Sequence, residues 1–479
     1  MSLSSALNIA LSGLQASSRG VGTASGNIAN AQVEGHAPRR LTLSGQIGGG
    51  GVRVTGVARQ YDPALAGLLR QAVSDSAGAA PAAAFLDSIE KALGLPGDPD
   101  GMIGRLAAFE TALVDAADRP DLDYRLGAAA AAAEAVVDRF AQIEAQIQTQ
   151  RQQADRAIAQ DVDRLNSGLQ DVARLNAEIL KHRGSEPMAV DLAEQRDRVL
   201  ADLSEIVPLR VLPRQDGRIA LYSAGGQMLL DGVRPARLGF SPAPAMTAAL
   251  SIDDGTLSGL SIDGRPVSAG AWGHLAGGSL AAHFVVRDAQ GPQLQSGIDD
   301  LAAGLIARFQ APGVDPSRPA GAPALFSDDG SALSGPAAPG LAGRLALDPA
   351  VRQQGAAEFW RLRDGLGAAA PGPVGDPAQL QRWLAALDAP LAATPGGAAR
   401  SLAAQVAHAA GDLSTMRQRA EETATRADSR QEALRSAMRA EGVDTDTELQ
   451  QLLKLEKAYA ANARVLQVTD DLLRRLMEI

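Results

Sequence analysis

The sequence predicts a mainly α-helical protein with a β insertion: terminal N- and C-terminal helices forming a coiled-coil-like axial domain, a long-helix bundle domain, and a small antiparallel β domain. Three observations carry this expectation. Apolar residues step by seven at both chain ends, helical spacing persists without proline between Pro120 and Pro187, and from Pro208 short apolar runs alternate with Asp-Gly pairs. A chain of 479 residues exceeds one core, and on the order of two to four domains is the expectation from length. Hydrophobic residues reach 46% but aromatics only 3%, so the cores are expected to be helical and rich in small residues.

In chain order, Leu7, Leu14, Val21 and Ile28 keep a seven-residue step, with Ala10, Ser17 and Ala24 at companion positions. Before Glu34 the only charged side chain is Arg19, so this helix expects protein on more than one side. Gly26-Asn27-Ile28-Ala29-Asn30 reads as the helix end, its Asn and Gly tolerating left-handed C-cap geometry. Short strands follow at 40–44 and 51–57 around the Gly48–Gly51 run. A phosphate loop is excluded there, because no Lys-Ser/Thr follows and a strand, not a helix, comes next. A second, short helix begins at Pro63, with Leu65, Leu68 and Leu69 on one face.

The spacings of Val136, Phe140, Ile143 and Ile147, then of Ile158, Val162, Leu165, Leu169 and Val172, predict two long helices or one bent one. In the charged run Asp191–Arg198, Glu194 and Arg198 sit four apart and read as a helix-surface pair contributing about 0.3 kcal/mol. Asp-Gly pairs beginning at 216, 231, 254 and 263 then separate strand-like runs including Ile219–Tyr222, Met228–Leu230 and Leu250–Ile252. These are hairpin signals, and they outline a separable antiparallel unit. Helix returns at Ile298, Leu301, Leu305 and Phe309. A loop-rich segment follows at 311–395, with short helical pieces at Trp360 and Trp383. The remainder is helix: one arm through Val406, Leu413 and Met416, a break at 442–446 supplying an N-cap, and a terminal seam. In that seam Leu452, Tyr459, Leu466 and Leu473 alternate with Leu455, Asn462, Thr469 and Leu476. The expected domains are 1–75 plus 435–479 (axial), 76–206 plus 276–434 (bundle), and 207–275 (β).

The chemistry-bearing residues fail their spacing tests. A net charge of -10 opposes a phosphate-binding surface. With no cysteine there is no disulfide or thiolate chemistry. His36, His182, His274, His283 and His408 show no metal-ligand spacing. Gly277-Gly278-Ser279 matches only part of a nucleophile elbow, and a helix N-cap at Ser279 is the better reading. Asp253-Asp254-Gly255 and Asp328-Asp329-Gly330 lack the remaining oxygens of a calcium loop and read as turns. No cofactor, metal or catalytic residue is expected. The amino terminus lacks a basic n-region and no apolar run reaches transmembrane length.

Taken together, Gly26–Asn30 after a Ser-Gly-Leu helix and Glu456-Lys457-Ala458-Tyr459-Ala460-Ala461-Asn462-Ala463 resemble the two terminal signatures of bacterial flagellar axial proteins (rod, hook and hook-associated). The interior runs Leu175-Asn176, Asp191–Asp197, Asp299–Ala302 and Gly442-Val443-Asp444 are similar to the first hook-associated family among them. Residues 311–395 are the least matched. Where the family's loop usually runs Thr-Pro-Gly-Tyr, this chain has Val33-Glu34-Gly35-His36, and its interior is shorter than in large relatives.

The resemblance implies a non-enzymatic, many-copy ring joining hook to filament. It implies export through the flagellar type III apparatus with an export chaperone, and as neighbours the hook protein and the second junction protein, FlgL. Leu7, Leu14, Val21, Ile28, Leu452, Leu455, Tyr459, Asn462, Leu466, Leu473 and Leu476, with Asn27 and Asn30, are the expected assembly interface. Asn462 and Thr469 are expected to fix its register. Thirty-residue heptad helices are marginal alone, so the ends are expected to be largely disordered before assembly. Two rivals are another axial protein, such as hook or distal rod, and a cell-wall glycan hydrolase using two of Asp216, Asp231, Asp253, Asp254 and Asp263. Such a hydrolase would need carboxyl groups held about 5 to 10 Å apart.

Overall fold

The computed structural model describes residues 3–33, 35–46, 50–95, 97–182, 186–268, 270, 273–353, 357–392 and 398–477. The chain opens with α1 (Leu3–Ala29), an antiparallel hairpin of β1 (Arg39–Gly45) and β2 (Val52–Arg59), and α2 (Pro63–Leu93). Asp62 caps α2 by accepting from the amides of Ala64 and Leu65. The expected short helix is therefore a long one, running through Pro81. An interior proline costs roughly 3 kcal/mol. Burial of Phe85, Leu86, Ile89 and Leu93 just beyond it offsets that.

Next come α3 (Met102–Asp118), α4 (Asp123–Lys181) and α5 (Glu186–Ile206). The two apolar runs of the central segment thus lie on one helix of 59 residues. Strands β3 (Leu209–Pro213), β4 (Ile219–Ser223), β5 (Met228–Asp231) and β6 (Arg234–Pro235) form one antiparallel sheet in sequence order. A second sheet is made by β7 (Leu238–Gly239), β8 (Leu260–Ile262) and β9 (Arg265–Val267). The Asp-Gly pairs at 216, 231 and 263 turn between paired strands, and Asp263 takes a positive φ of 49° as a hairpin turn demands. The fourth pair does not: Leu250–Ile252 is no strand, and Asp254 instead holds a turn through the Thr256 amide and hydroxyl.

Helix α6 (Gly278–Val285) passes through a π-helical turn (Val286–Gln290) into α7 (Gly291–Phe309). The loop-rich segment folds as β10 (Phe326–Asp328), α8 (Leu341–Arg344), β11 (Leu345–Leu347), α9 (Trp360–Asp364), α10 (Ala378–Asp388) and β12 (Leu391–Ala392), the last pairing with β13 (Ala399–Arg400). The chain ends with α11 (Leu402–Ala440) and α12 (Thr445–Met477). Asp444 starts α12 by accepting from the Asp446 and Thr447 amides and the Thr447 hydroxyl.

Two apolar cores share α4. Its first half, Leu126 to Ala154, packs with α2, α3, α7, α10 and α11. Phe109, Phe309, Phe326 and Trp383 meet there, with Trp383 stacked on Phe309 at 5.6 Å between ring centroids. The second half, Ile158 to Ala173, packs with α5, α6 and both sheets. Leu221, Leu229 and Leu230 therefore share a core with Leu165 and Leu203, and the β region is not the self-contained excursion its sequence suggests. Between the cores lies a buried polar joint. Asp155 and Arg287 pair at 2.6 Å, both fully buried, and the Arg151 guanidinium donates to the carbonyls of Thr247, Leu250 and Arg287. Among the described residues, α1 and α12 contribute to neither core. Helices α2 and α11 run unbroken across positions 75 and 434, so those expected domain limits fall inside helices.

Candidate assembly interface

The terminal helices pack on each other along a seam of small residues. Ala10, Ser17, Gly20, Ala24 and Asn27 are the buried positions of α1 that carry its 3–4 spacing. A Cβ added at Gly13 would come within 2.7 Å of the Asn462 side chain, and one at Gly20 within 2.9 Å of Leu455. Residue number rises along α1 as it falls along α12, so the pair is antiparallel. The companion positions, not Leu7, Leu14, Val21 and Ile28, thus line the α1 face toward α12; those four are half-buried beside it. Small side chains win that face because they let two backbones approach, whereas a leucine would hold them apart.

On α12 the half-buried inward residues are Leu452, Leu455, Asn462 and Leu466, while Tyr459 and Leu473 are exposed. Leu476 lies outside the residues whose side chains are described. Thr469 is buried, but its hydroxyl donates to the Val465 carbonyl one turn back, so it does not reach across the seam as expected. Asn27 is not an outward residue either. Its amide forms a two-way pair with the backbone of Arg39, holding the hairpin beside α1, while the Ser12 hydroxyl accepts from the Val52 amide at the other end. Helix α1 thus has two partners within the chain, α12 and the hairpin, in line with its near-absence of charge. Asn30 is exposed and bonds the Gly26 carbonyl without adopting positive φ.

The sequence reading missed a second seam on α12. Ala458, Ala461, Val465, Val468 and Leu472 repeat at spacings of three and four and all face outward; Val465, Val468 and Leu472 are 47%, 54% and 47% exposed. The signal was present in the sequence as a second heptad phase, masked by the stronger leucine phase beside it.

A polar contact joins the hairpin to α5. Glu194, Asp191 and Asp197 lie three residues apart on one face of α5. Arg39 bonds Glu194 at 2.8 Å and Asp191 at 2.7 Å, His36 approaches Glu194 at 3.3 Å, and Arg59 pairs with Asp197. The expected Glu194–Arg198 surface pair is therefore replaced by long-range partners. Of the departing loop, Glu34 lies outside the described residues, whereas His36 is docked against α5.

The residues weighed for catalysis are placed elsewhere. Asp216 binds Arg218 and its amide, and Asp231 binds Arg214, so these two carboxylates share one surface depression with both arginines; Asp263 accepts from the Arg237 amide. Asp328 pairs with Arg344. Ser279 is not the N-cap of α6, a position held by Gly277; it donates to Asp161 at 2.7 Å, beside His283. Burial pushes the Asp161 carboxyl up and the His283 imidazole down from their ordinary values.

Two family models match the chain. That of the flagellar hook-associated protein FlgK helical domain covers residues 86–321, and that of the flagellar basal body rod FlgEFG protein C-terminal region covers 435–479. Flagellar hook-associated protein 1 of Escherichia coli (strain K12) is 27% identical over 57% of this chain and 51% of its own length. Its Salmonella typhimurium counterpart is 29% identical over 53% of this chain and 48% of its own. The chain thus spans about half the length of the curated relatives it matches. A solved structure, the flagellar hook junction protein FlgK from Burkholderia pseudomallei, has a TM-score of 0.45 at 20% identity over 55% of this chain and 46% of that one. By the helical-domain match over residues 86–321 and these relatives, the chain is similar to the flagellar hook-associated protein FlgK family.

Proposed function

We propose that this chain is a structural, non-enzymatic subunit of the bacterial flagellum at the junction between hook and filament, self-assembling through its terminal helices into a many-copy ring. The observation that carries the reading is the outward seam Ala458–Ala461–Val465–Val468–Leu472, apolar and exposed beside a seam already paired with α1. Burying it against another copy removes apolar surface from water at about 25 cal/mol per Å². Leu7, Leu14, Val21 and Ile28, half-covered in the single chain, lie where neighbouring subunits complete their burial. The hook protein and FlgL are its proposed neighbours. Before assembly it is secreted through the flagellar export apparatus with an export chaperone. The axial (1–75 plus 435–479), bundle (76–206 plus 276–434) and β (207–275) division is retained as a functional one, with the terminal parts inward.

Two variants test this. Val468→Asp places a carboxylate on the outward seam, and an unpaired buried charge costs several kcal/mol in each subunit contact. It should leave melting of the isolated chain unchanged yet give hooks without filaments in cells lacking the native copy. Leu466→Asp strikes the inward seam and should give the same cellular outcome. Filaments growing normally in cells that carry either variant as the sole copy would refute the assembly role of α12.

A further inference from the structure

The terminal unit of α1, α12 and the β1–β2 hairpin adds nothing to either apolar core among the described residues. Core packing therefore does not fix its direction. Laterally it meets the bundle where the hairpin rests on α5, and that contact is ionic: Asp191, Glu194 and Asp197 on the helix, His36, Arg39 and Arg59 on the loop and hairpin. Arg59 also lies over the Tyr61 ring at 4.4 Å, whose hydroxyl accepts from Arg70 of α2 at 3.4 Å, so the cluster is anchored where the hairpin re-enters the bundle.

The cluster is enclosed but incompletely satisfied. Glu194 and His36 are nearly buried, the Arg59 Nε stands 3.7 Å from Glu194 Oε1, and His36 Nε2 has no partner among the described residues. A contact selected for strength alone would do better with apolar side chains, since enclosed ion pairs lose much of their attraction to desolvation. What ion pairs supply instead is direction and reversibility. Their energy depends on angle and on ionic strength, and on separation they return to water at little cost.

We propose that this contact is a releasable ionic joint that fixes the angle between the terminal helix pair and the bundle. Closed, it holds the hairpin on α5; open, the terminal unit swings on the links at 60–62 and 441–444 while both cores stay folded. The proposal stands whether or not the outward seam of α12 is an assembly surface.

Because the chain has no cysteine, labels can be placed at will. Spin labels on Thr55→Cys in β2 and Thr111→Cys in α3, both exposed positions, report the angle as a distance distribution by double electron–electron resonance. The otherwise native full-length chain should give one narrow peak at low salt. That peak should broaden in about 1 M NaCl, where the screening length falls to roughly 3 Å. Glu194→Gln and, from the other side, Arg59→Gln should each lose the narrow peak at low salt and lose the salt dependence with it, with the far-UV circular dichroism melt unchanged. A narrow peak retained in both variants would overturn the joint, as would a broad distribution in the unsubstituted chain at low salt. Collapse of the helical melt in both would equally overturn it, by making the cluster part of the folding core.

Discussion

Replacing Asp155 by Asn tests whether the polar joint between the two cores is held by charge. The asparagine keeps an oxygen for the Ala243 amide, which donates to Asp155 at 2.7 Å, but withdraws the negative charge from Arg287. Removing one partner of a buried pair typically costs about 3 to 5 kcal/mol. Arg287 retains Asp288 through two bonds of 2.7 and 2.9 Å and lies between the Phe240 and Phe284 rings at 5.3 and 4.9 Å. Its charge is not left alone, which places the expected loss at the low end, about 3 kcal/mol or on the order of 100-fold in the folding equilibrium. The assay is urea unfolding followed by circular dichroism; guanidinium, a salt, would screen the pair being measured. Asp155→Asn with Arg287→Met removes both charges and should recover at least half of the loss. A single variant within about 0.5 kcal/mol of the native chain, the scatter of ordinary surface substitutions, would refute the reasoning, as would a double variant no more stable than the single one.

Phe309→Ala empties the aromatic cluster of Phe109, Phe326 and Trp383 and should cost about 3 to 5 kcal/mol by the same unfolding assay. Burial, then the neighbouring Asp299 charge, raises the Glu144 carboxyl. Its contribution is therefore full below the ordinary glutamate range and lost as pH rises through the elevated native value, so Glu144→Gln should flatten the stability–pH curve between the ordinary glutamate range and that elevated value. His283 has the opposite sign. Burial lowers it, so its contribution is present above the ordinary imidazole range and lost as pH falls through the depressed native value; His283→Gln should flatten the acid limb of the melting profile. Excising 207–275 with a short linker exposes Leu165, Leu203 and their neighbours. It should broaden and lower the remaining helical melt, and an unchanged cooperative melt would show the β region to be autonomous after all.

The sequence alone determined the class of the fold and the two terminal helices, because periodicity is a local property: a heptad phase or an Asp-Gly turn reads the same whatever it packs against. The helical spacing through Phe140 and Val172, though not its continuity as one helix, the turns at Asp216, Asp231 and Asp263, and the N-cap at Asp444 were legible on those terms. Pro81 hid the length of α2, because its cost is local while the burial that offsets it is tertiary. The partners of Glu194 were hidden for a related reason. Local spacing offered Arg198, but burial against the hairpin brought Arg39 and His36 from 155 and 158 positions away, and at low dielectric those pairs prevail. Only the tertiary structure decided which of two heptad phases on each terminal helix faces inward. Gly13 and Gly20 let α1 approach α12 along the small-residue phase, and closeness of approach, not hydrophobicity, left Val465, Val468 and Leu472 facing out.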